Sequence, residues 1–351
     1  MFQIVIILFN QHYIIELDCD QMKIAIIVVS SSGYELAKKI SEKLEEDPTI
    51  FKVDIFQKNV KNTLKQIFSK YEMILGIMAT GIMVRNLCKF KKNKFVDPGV
   101  LVMDDLGSNV ISLLSGHIGG SNAFATKISK LTNANAIITT STDVHGKIGI
   151  DELARQYLLG IQGSEKIKII NSAIIENKNV NLSIPPKFKF LKGYSIINNT
   201  YSFSENSKDD LIKASTGSDS LELKPKKFVI GIGSKKGVSK IKVDLAVKNA
   251  LNYLNIPIER IDSISTAEMK KYEQGITDFA LEHDIPLEII PHHVLKDFKS
   301  NEYDDSPFVK EIFGVGGVCQ PCALISAGEN SHLILKKIAF NGVTVAAAIS
   351  P

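Results

Sequence analysis

Apolar positions in this 351-residue chain fall into two kinds of run. Short unbroken runs rich in β-branched residues, Ile24–Val29 and Met73–Met78, suit strands buried on both faces of a parallel sheet. Between them Leu36, Ala37, Ile40 and Leu44 recur at helical spacing and stop before Pro48. Phe51–Phe56 alternates as a strand does, Thr63–Phe68 reads as a helix, and Ala79-Thr80-Gly81 opens a short helix through Arg85 and Cys88. Val100–Met103 and Val110–Leu114 predict a strand pair about the turn Asp104–Ser108. A helix carrying Phe124, Ile128 and Leu131 follows, then a strand Ala136–Thr140. Over residues 23–145 this order predicts an α/β domain, a sheet layered by helices.

Residues 146–226 break the rhythm. A predicted helix at Ile150–Leu159 gives way to Asn-, Lys- and Ser-rich sequence with Pro185-Pro186. That composition buries little core, so the stretch reads as a smaller, loosely built middle domain or linker with some short strands. A second α/β domain is expected over 227–351. It opens with the strand Phe228–Ile232 and an amphipathic helix carrying Val243, Ala246, Val247, Ala250, Leu251 and Leu254. Strands at Arg260–Ser265 and Leu287–Ile290 follow, then a helix at Gln320–Ser326 and paired strands at Leu333–Ile338 and Val343–Ile349. The fold class is therefore two α/β domains with largely parallel sheets joined by a smaller, variable middle region.

Composition narrows the function classes. A formal net charge of +4, from 42 basic and 38 acidic residues, is too mild for a nucleic-acid partner. It leaves room for a local basic pocket that binds an acidic small molecule. Four scattered cysteines, Cys19, Cys88, Cys319 and Cys322, suggest a reducing cytoplasm rather than a disulfide framework. The opening MFQIVIILFN is apolar but too short to span a bilayer and lacks signal-peptide flanks, so no membrane association is expected. Residues 1–22 read as an N-terminal extension, or as an added edge strand, before the strong pattern that begins at Met22-Lys23.

Chemistry concentrates in Ser112–Asn122, SLLSGHIGGSN. An apolar run enters it, Ser115-Gly116-His117 breaks the run, and Gly119-Gly120 precede Ser121-Asn122, which can cap a helix. Glycines permit close backbone approach, a helix start offers unpaired N–H donors, and His117 has an ordinary pKa near neutrality. The competing reading is a tight turn with a solvent-facing His. Two more strand tips, Thr80-Gly81 and Thr139–Asp143, are expected to converge on the same crevice, since open α/β sheets bind ligands outside strand ends. There Asp143 orients His117 or acts as acid/base, unless it merely caps a helix.

In the carboxyl-terminal domain, Gly231–Gly237 (GIGSKKG) looks like an anion cradle with two lysines, or a βα turn with exposed lysines. It has neither Walker nor dinucleotide spacing. Cys319-Gln320-Pro321-Cys322 resembles a redox dithiol, but two small apolar residues packing a helix start is the favoured reading. No protein metal site is expected, because Pro291-His292-His293 lacks companions.

Taken together, ATGIMVRNL at 79–87, VDPGVLVMDDLG at 96–107, ISLLSGHIGGSNAFATKIS at 111–129 and AIITTSTD at 136–143 resemble the amino-terminal domain of the cobalamin biosynthesis protein CbiG family. FVIGIGSKKG at 228–237, STAEMKKYEQGI at 265–276, SPFVKEIFGVGGVCQPCALISAG at 306–328 and the closing GVTVAAA resemble its carboxyl-terminal domain. The resemblance implies a hydrolase that opens the δ-lactone of cobalt-precorrin-5A and releases acetaldehyde, with a non-catalytic corrinoid carrier as the alternative. Cobalt then arrives in the substrate and no cofactor is implied. The implied partners are a cobalt-corrinoid and, by hand-off, other enzymes of cobalamin synthesis.

For that chemistry His117 and Asp143 are the catalytic candidates. The amides of Gly119 and Gly120 would stabilise the oxyanion. Thr80, Gly81, Arg85, Ser115, Gly116, Asn122, Gly231, Gly233, Ser234 and Lys235 are expected to bind substrate, with cations pairing its peripheral carboxylates. Lys270 and Glu273 match the family pattern and are added to that set. The chain departs from the family at Ser234 and Lys235, where Cys and Arg are usual, and at Gln320, where Glu is usual.

Overall fold

The computed structural model describes residues 14–15, 21–206, 210–303 and 305–351. The chain forms two compact units, Met22–Pro225 and Lys226–Pro351, the first of which also takes in the short strand β1 (Ile14–Ile15). Apart from β1, Gln21 and Met22, which opens a strand, the expected amino-terminal extension (residues 1–22) lies outside the described residues.

The first unit opens with β2 (Met22–Val28), β3 (Ile50–Gln57), β4 (Met73–Ile77), β5 (Gly99–Met103), β6 (Asn109–Leu114) and β7 (Asn135–Ile137), in spatial order β3-β2-β4-β5-β6-β7. All pairings are parallel except β5–β6. The strand period of two explains the continuous apolar runs. Ile24, Ile26, Leu75, Ile77, Leu101 and Met103 face one side, and Ala25, Ile27, Ile74, Val100 and Val102 the other. Helices α1 (Ser31–Glu45) and α4 (Ser121–Thr132) cover the first face through Ala37, Ile40, Leu44, Phe124 and Ile128. Helices α2 (Val60–Ile67) and α3 (Thr80–Leu87) cover the second through Leu64, Ile67, Met83 and Leu87.

The middle region has a substantial core, against the expectation from its composition. After α5 (Ser141–Val144) and α6 (Ile150–Gln156) come β8 (Leu159–Gln162), α7 (Ile167–Ile175), β9 (Asn181–Ile184), α8 (Ser195–Asn198), β10 (Ser202–Glu205), β11 (Ile212–Thr216) and β12 (Asp219–Pro225). The sheet runs β1-β8-β12-β11-β9-β10, antiparallel save for β9–β10. Leu153, Tyr157, Ile161, Ile170, Ile174, Leu182, Phe188, Leu191, Ile212 and Leu223 form its buried cluster. An antiparallel sheet open to water on one face needs an apolar residue only at every second position. Averaged composition therefore understated the core.

The second unit is a mixed sheet, β13 (Phe228–Ser234), β14 (Ser263–Ala267), β15 (Leu287–Ile290), β16 (His332–Phe340) and β17 (Val343–Ile349), in order β15-β14-β13-β17-β16. The β13–β14 and β14–β15 pairs are parallel, and β17 runs antiparallel to both its neighbours. Its helices are α9 (Lys240–Leu254), α10 (Gln274–Glu282), α11 (His292–Asp297), α12 (Pro307–Phe313) and α13 (Cys319–Ala327). Helix α13 is buried along most of its length. Among the described residues no helix is long and apolar enough to cross a membrane.

Candidate functional site

The single antiparallel pairing of the first sheet decides where the candidate residues go. Because β6 runs against β5, its carboxyl end (Leu114) lies beside Val100, at the amino end of β5. Strand β7 runs parallel to β6, so the tip after Ile137 emerges at that same edge. The His117 loop and the Thr139–Asp143 tip therefore meet. Thr80-Gly81 and Arg85 do not join them. They follow the carboxyl end of β4, which is parallel to β5, and so sit at the opposite edge of the sheet, about one strand length or roughly 17 Å away. The expected convergence of three tips fails on this reversal.

His117 is held between two carboxylates. Its Nε2–H donates to Asp143 Oδ2 at 2.9 Å, with Thr142 Oγ1 3.1 Å from the same nitrogen. Its Nδ1 lies 3.4 Å from Asp151 Oδ1, on α6 of the middle region. The imidazole is 12% exposed and the Asp151 side chain 4%. Burial disfavours a charged ring, but hydrogen bonds to Asp143 and Asp151 and the charges of Asp151 and Glu152 outweigh it and raise the His117 pKa to about 10. The same pairing overcomes burial at Asp151 and lowers its pKa to about 2, and it lowers that of Asp143. His117 is thus an imidazolium at neutral pH, its Nε2–H donating to Asp143 and its Nδ1 facing Asp151, not the free base its ordinary pKa suggests.

A network fixes the two acids. Thr140 Oγ1 donates to Asp143 Oδ2 at 2.6 Å, and Asn122 Nδ2 donates to Thr140 Oγ1 at 2.6 Å and to Asp143 Oδ2 at 3.2 Å. Ser112 Oγ in turn donates to Asn122 Oδ1 at 2.7 Å. Thr140 is the residue that precedes α5, and Asp143 turns to His117 rather than capping the helix. Asp151 accepts from Asn171 Nδ2 at 2.8 Å and has Lys94 Nζ at 3.6 Å. Glu152, half-buried beside them, offers an oxygen within 4.8 Å of a His117 nitrogen and an Asp143 oxygen. Its pKa is raised by burial and by Asp143. Three such atoms are spaced closely enough to hold a cation.

The glycines of this loop leave room for the chain's own neighbours. A Cβ on Gly116 would lie 2.8 Å from Asn122 Oδ1, and one on Gly119 would lie 2.4 Å from Ser115 Cβ. Gly120 has φ +75° and donates its amide to His117 O, while the Ser121 and Asn122 amides donate to Ser115 O and Gly116 O. The chain's own carbonyls thus take the donors at the start of α4 from Gly120 to Asn122, so the Gly120 amide is not left for an oxyanion. Ser115 itself adopts φ +56°, and its buried Oγ has no hydrogen-bond partner.

The carboxyl-terminal candidates belong to the second unit. Gly231 and Gly233 lie within β13, not in a loop. A Cβ on Gly231 would meet Cys319 O at 1.9 Å, and one on Gly233 would meet Thr344 Oγ1 at 2.6 Å. These glycines let α13 and β17 close on the strand. The turn's anion place is filled from within: Glu273 Oε2 accepts from Gly237 N at 2.7 Å, and Lys270 Nζ is 3.7 Å from Glu273 Oε1. Ser234 keeps a buried, unpartnered Oγ, and Lys235 is exposed with its stem against Gly342. Cys319 and Cys322 are buried free thiols whose pKa values are raised by burial, as expected of packing residues rather than a redox pair.

Sequence reasoning missed Asp151, Glu152, Lys94 and Asn171. Two acids in the first turn of a helix have an ordinary explanation in the helix dipole, and nothing local tied them to His117.

Residues 62–143 match the family model described as Cobalamin synthesis G N-terminal, and residues 228–348 match Cobalamin synthesis G C-terminus. The chain is 34% identical to a Methanocaldococcus jannaschii protein named "Probable cobalt-precorrin-5A hydrolase", over 93% of this chain and 99% of that one. It is 29% identical to the cobalt-precorrin-5A hydrolase of Salmonella typhimurium, over 93% of this chain and 97% of that one. The crystal structure of a cobalamin biosynthesis protein G homolog from Sulfolobus solfataricus superposes with a TM-score of 0.55 at 27% identity, covering 94% of this chain and 97% of that chain.

Proposed function

The chain belongs to the CbiG family of cobalamin-synthesis proteins, and on that premise we propose that it is a cobalt-precorrin-5A hydrolase. It opens the δ-lactone of the contracted macrocycle with water and then releases the extruded two-carbon unit as acetaldehyde. Cobalt enters as part of the substrate, so the reading calls for no resident metal or other cofactor. The protein works in the cytoplasm and passes its product to the next enzyme of the pathway. The free thiols Cys88, Cys319 and Cys322 agree with a reducing compartment.

The observation that carries the chemistry is the half-buried His117–Asp143 pair in a part of the chain that matches the family. A cation with a pKa of about 10 is a poor base but a suitable general acid for an alkoxide leaving group. His117 therefore gives its Nε2 proton to the alkyl oxygen as the lactone C–O bond breaks. Asp143, held by Thr140 and Asn122, keeps the ring oriented and stabilises its charge. Lys94 and Arg155, near Asp151 and Gly120, supply positive charge for the peripheral carboxylates.

Incubating the purified protein with cobalt-precorrin-5A and trapping the volatile product tests the proposal. Stoichiometric acetaldehyde is expected. Tight binding without acetaldehyde would make the protein a corrinoid carrier instead.

A further inference from the structure

The lactone step needs a base, and His117, set between carboxylates 2.9 and 3.4 Å from its two nitrogens, is placed to give a proton rather than to take one. We propose that Glu152 is that base, the group that takes the proton from the attacking water; the inference rests on the hydrolase reading above.

Three observations single it out. A Glu152 oxygen lies within 4.8 Å of both the His117 ring and the Asp143 carboxylate, so a water on Glu152 sits within reach of the acid that serves the leaving oxygen. The other two acids each turn one oxygen to His117. Asp143 accepts from His117, Asn122 and Thr140, and Asp151 accepts from Asn171 and faces both His117 and Lys94. Among the described residues the Glu152 carboxylate receives no side-chain hydrogen bond, and it is half-buried rather than sealed. Its lone pairs are open to water, whereas Asp143 Oδ2 takes three hydrogen bonds and Asp151 Oδ1 takes Asn171 and faces His117. Burial and the negative charge of Asp143 also make it the most basic of the three carboxylates.

The step balances. Glu152 accepts one proton from water as the water oxygen bonds to the lactone carbonyl carbon. The carbonyl–alkoxy bond breaks, and the alkyl oxygen leaves as an alcohol with the proton from His117. Proton transfer from Glu152 back to His117 resets the pair. The same carboxylate then takes the alcohol proton. The carbon–carbon bond breaks, its electron pair stays on the macrocycle carbon, which is protonated from His117, and acetaldehyde departs.

The test compares wild type, Glu152→Gln, Glu152→Asp and Glu152→Ala in acetaldehyde release, with cobalt-corrinoid binding followed by absorbance. Glu152→Gln is expected to lose roughly 10²–10⁴-fold in turnover with binding unchanged, and to lose the acid limb of the kcat/KM pH profile. Glu152→Asp should restore part of the rate, and added formate should rescue Glu152→Ala but not wild type. A rate or an acid limb in Glu152→Gln equal to that of wild type would overturn the assignment while leaving the hydrolase reading intact. Absence of acetaldehyde from wild type would overturn the reading itself.

Discussion

The charge on His117 is open to direct measurement through Asp151→Asn. The amide keeps the shape and an acceptor oxygen for Asn171 but removes the charge 3.4 Å from Nδ1. A pKa of about 10 against the ordinary 6.5 means that the folded site prefers the charged ring by about 5 kcal/mol. At an effective dielectric near 20, carboxylates at 2.9 and 3.4 Å each contribute on the order of 5 kcal/mol of attraction before the burial penalty is subtracted. Removing one leaves an attraction close to that penalty, so the ring in the variant should titrate at least ~2 pH units lower than in wild type.

Side-chain NMR of ¹³C/¹⁵N-histidine protein from pH 5 to 11, with His117→Gln assigning one signal among seven histidines, reads this directly. The stability sign follows. A raised histidine pKa contributes stability that is complete below about 6.5 and is lost as pH rises through about 10. The lowered Asp151 pKa contributes stability present above 3.8 and lost as pH falls through about 2. Wild type should therefore lose denaturant resistance between pH 7 and 10, and Asp151→Asn should lose less over that range. A wild-type ring that titrates near 6.5 would refute the imidazolium and return His117 to the role of base.

Other outcomes follow from the same geometry. His117→Ala should lower turnover roughly 10²–10⁴-fold and, by leaving buried Asp151 with only the more distant Lys94 as a cation, cost up to about 3–5 kcal/mol of stability in chemical denaturation; unchanged turnover would make His117 structural. Gly231→Ala places a methyl on the Cys319 carbonyl and should cost about 3 kcal/mol or more, seen as a lower denaturation midpoint, whereas Gly81→Ala, where a Cβ meets nothing within 4 Å, should cost less than ~1 kcal/mol. In native protein, iodoacetamide should label exposed Cys88 and leave Cys319 and Cys322 unmodified in peptide mass maps; rapid labelling at either would contradict their burial.

The first sheet was legible because β4, β5 and the stretch Ile24–Val28 of β2 are continuously apolar, which requires cover on both faces. The middle region was not, for the opposite reason. Strands such as Asn181–Ile184 and Asp219–Pro225 bury alternate residues, and a window average sees only their polar half. The glycines misled in another way. A glycine that admits a ligand and one that admits a neighbouring helix look the same along a chain. Only the Cys319 carbonyl over Gly231 and the Asn122 side chain over Gly116 tell them apart.

At the site itself, the pairing of His117 with Asp143 was readable and its protonation state was not. The pair needed only that two strand tips share an edge, and the antiparallel turn at Asp104–Ser108, visible in the sequence, already implied that β6 and β7 leave the sheet at the same end. Carried one step further, that turn also excluded Thr80-Gly81, because a strand before the reversal and one after it open on opposite edges. The charge on His117 depends first on Asp143 and then on Asp151 and Glu152, which arrive from the other side of the expected boundary at 145/146. An ordinary pKa suggests a neutral ring at His117, and a second carboxylate, unseen along the chain, adds to Asp143 in holding it as the cation.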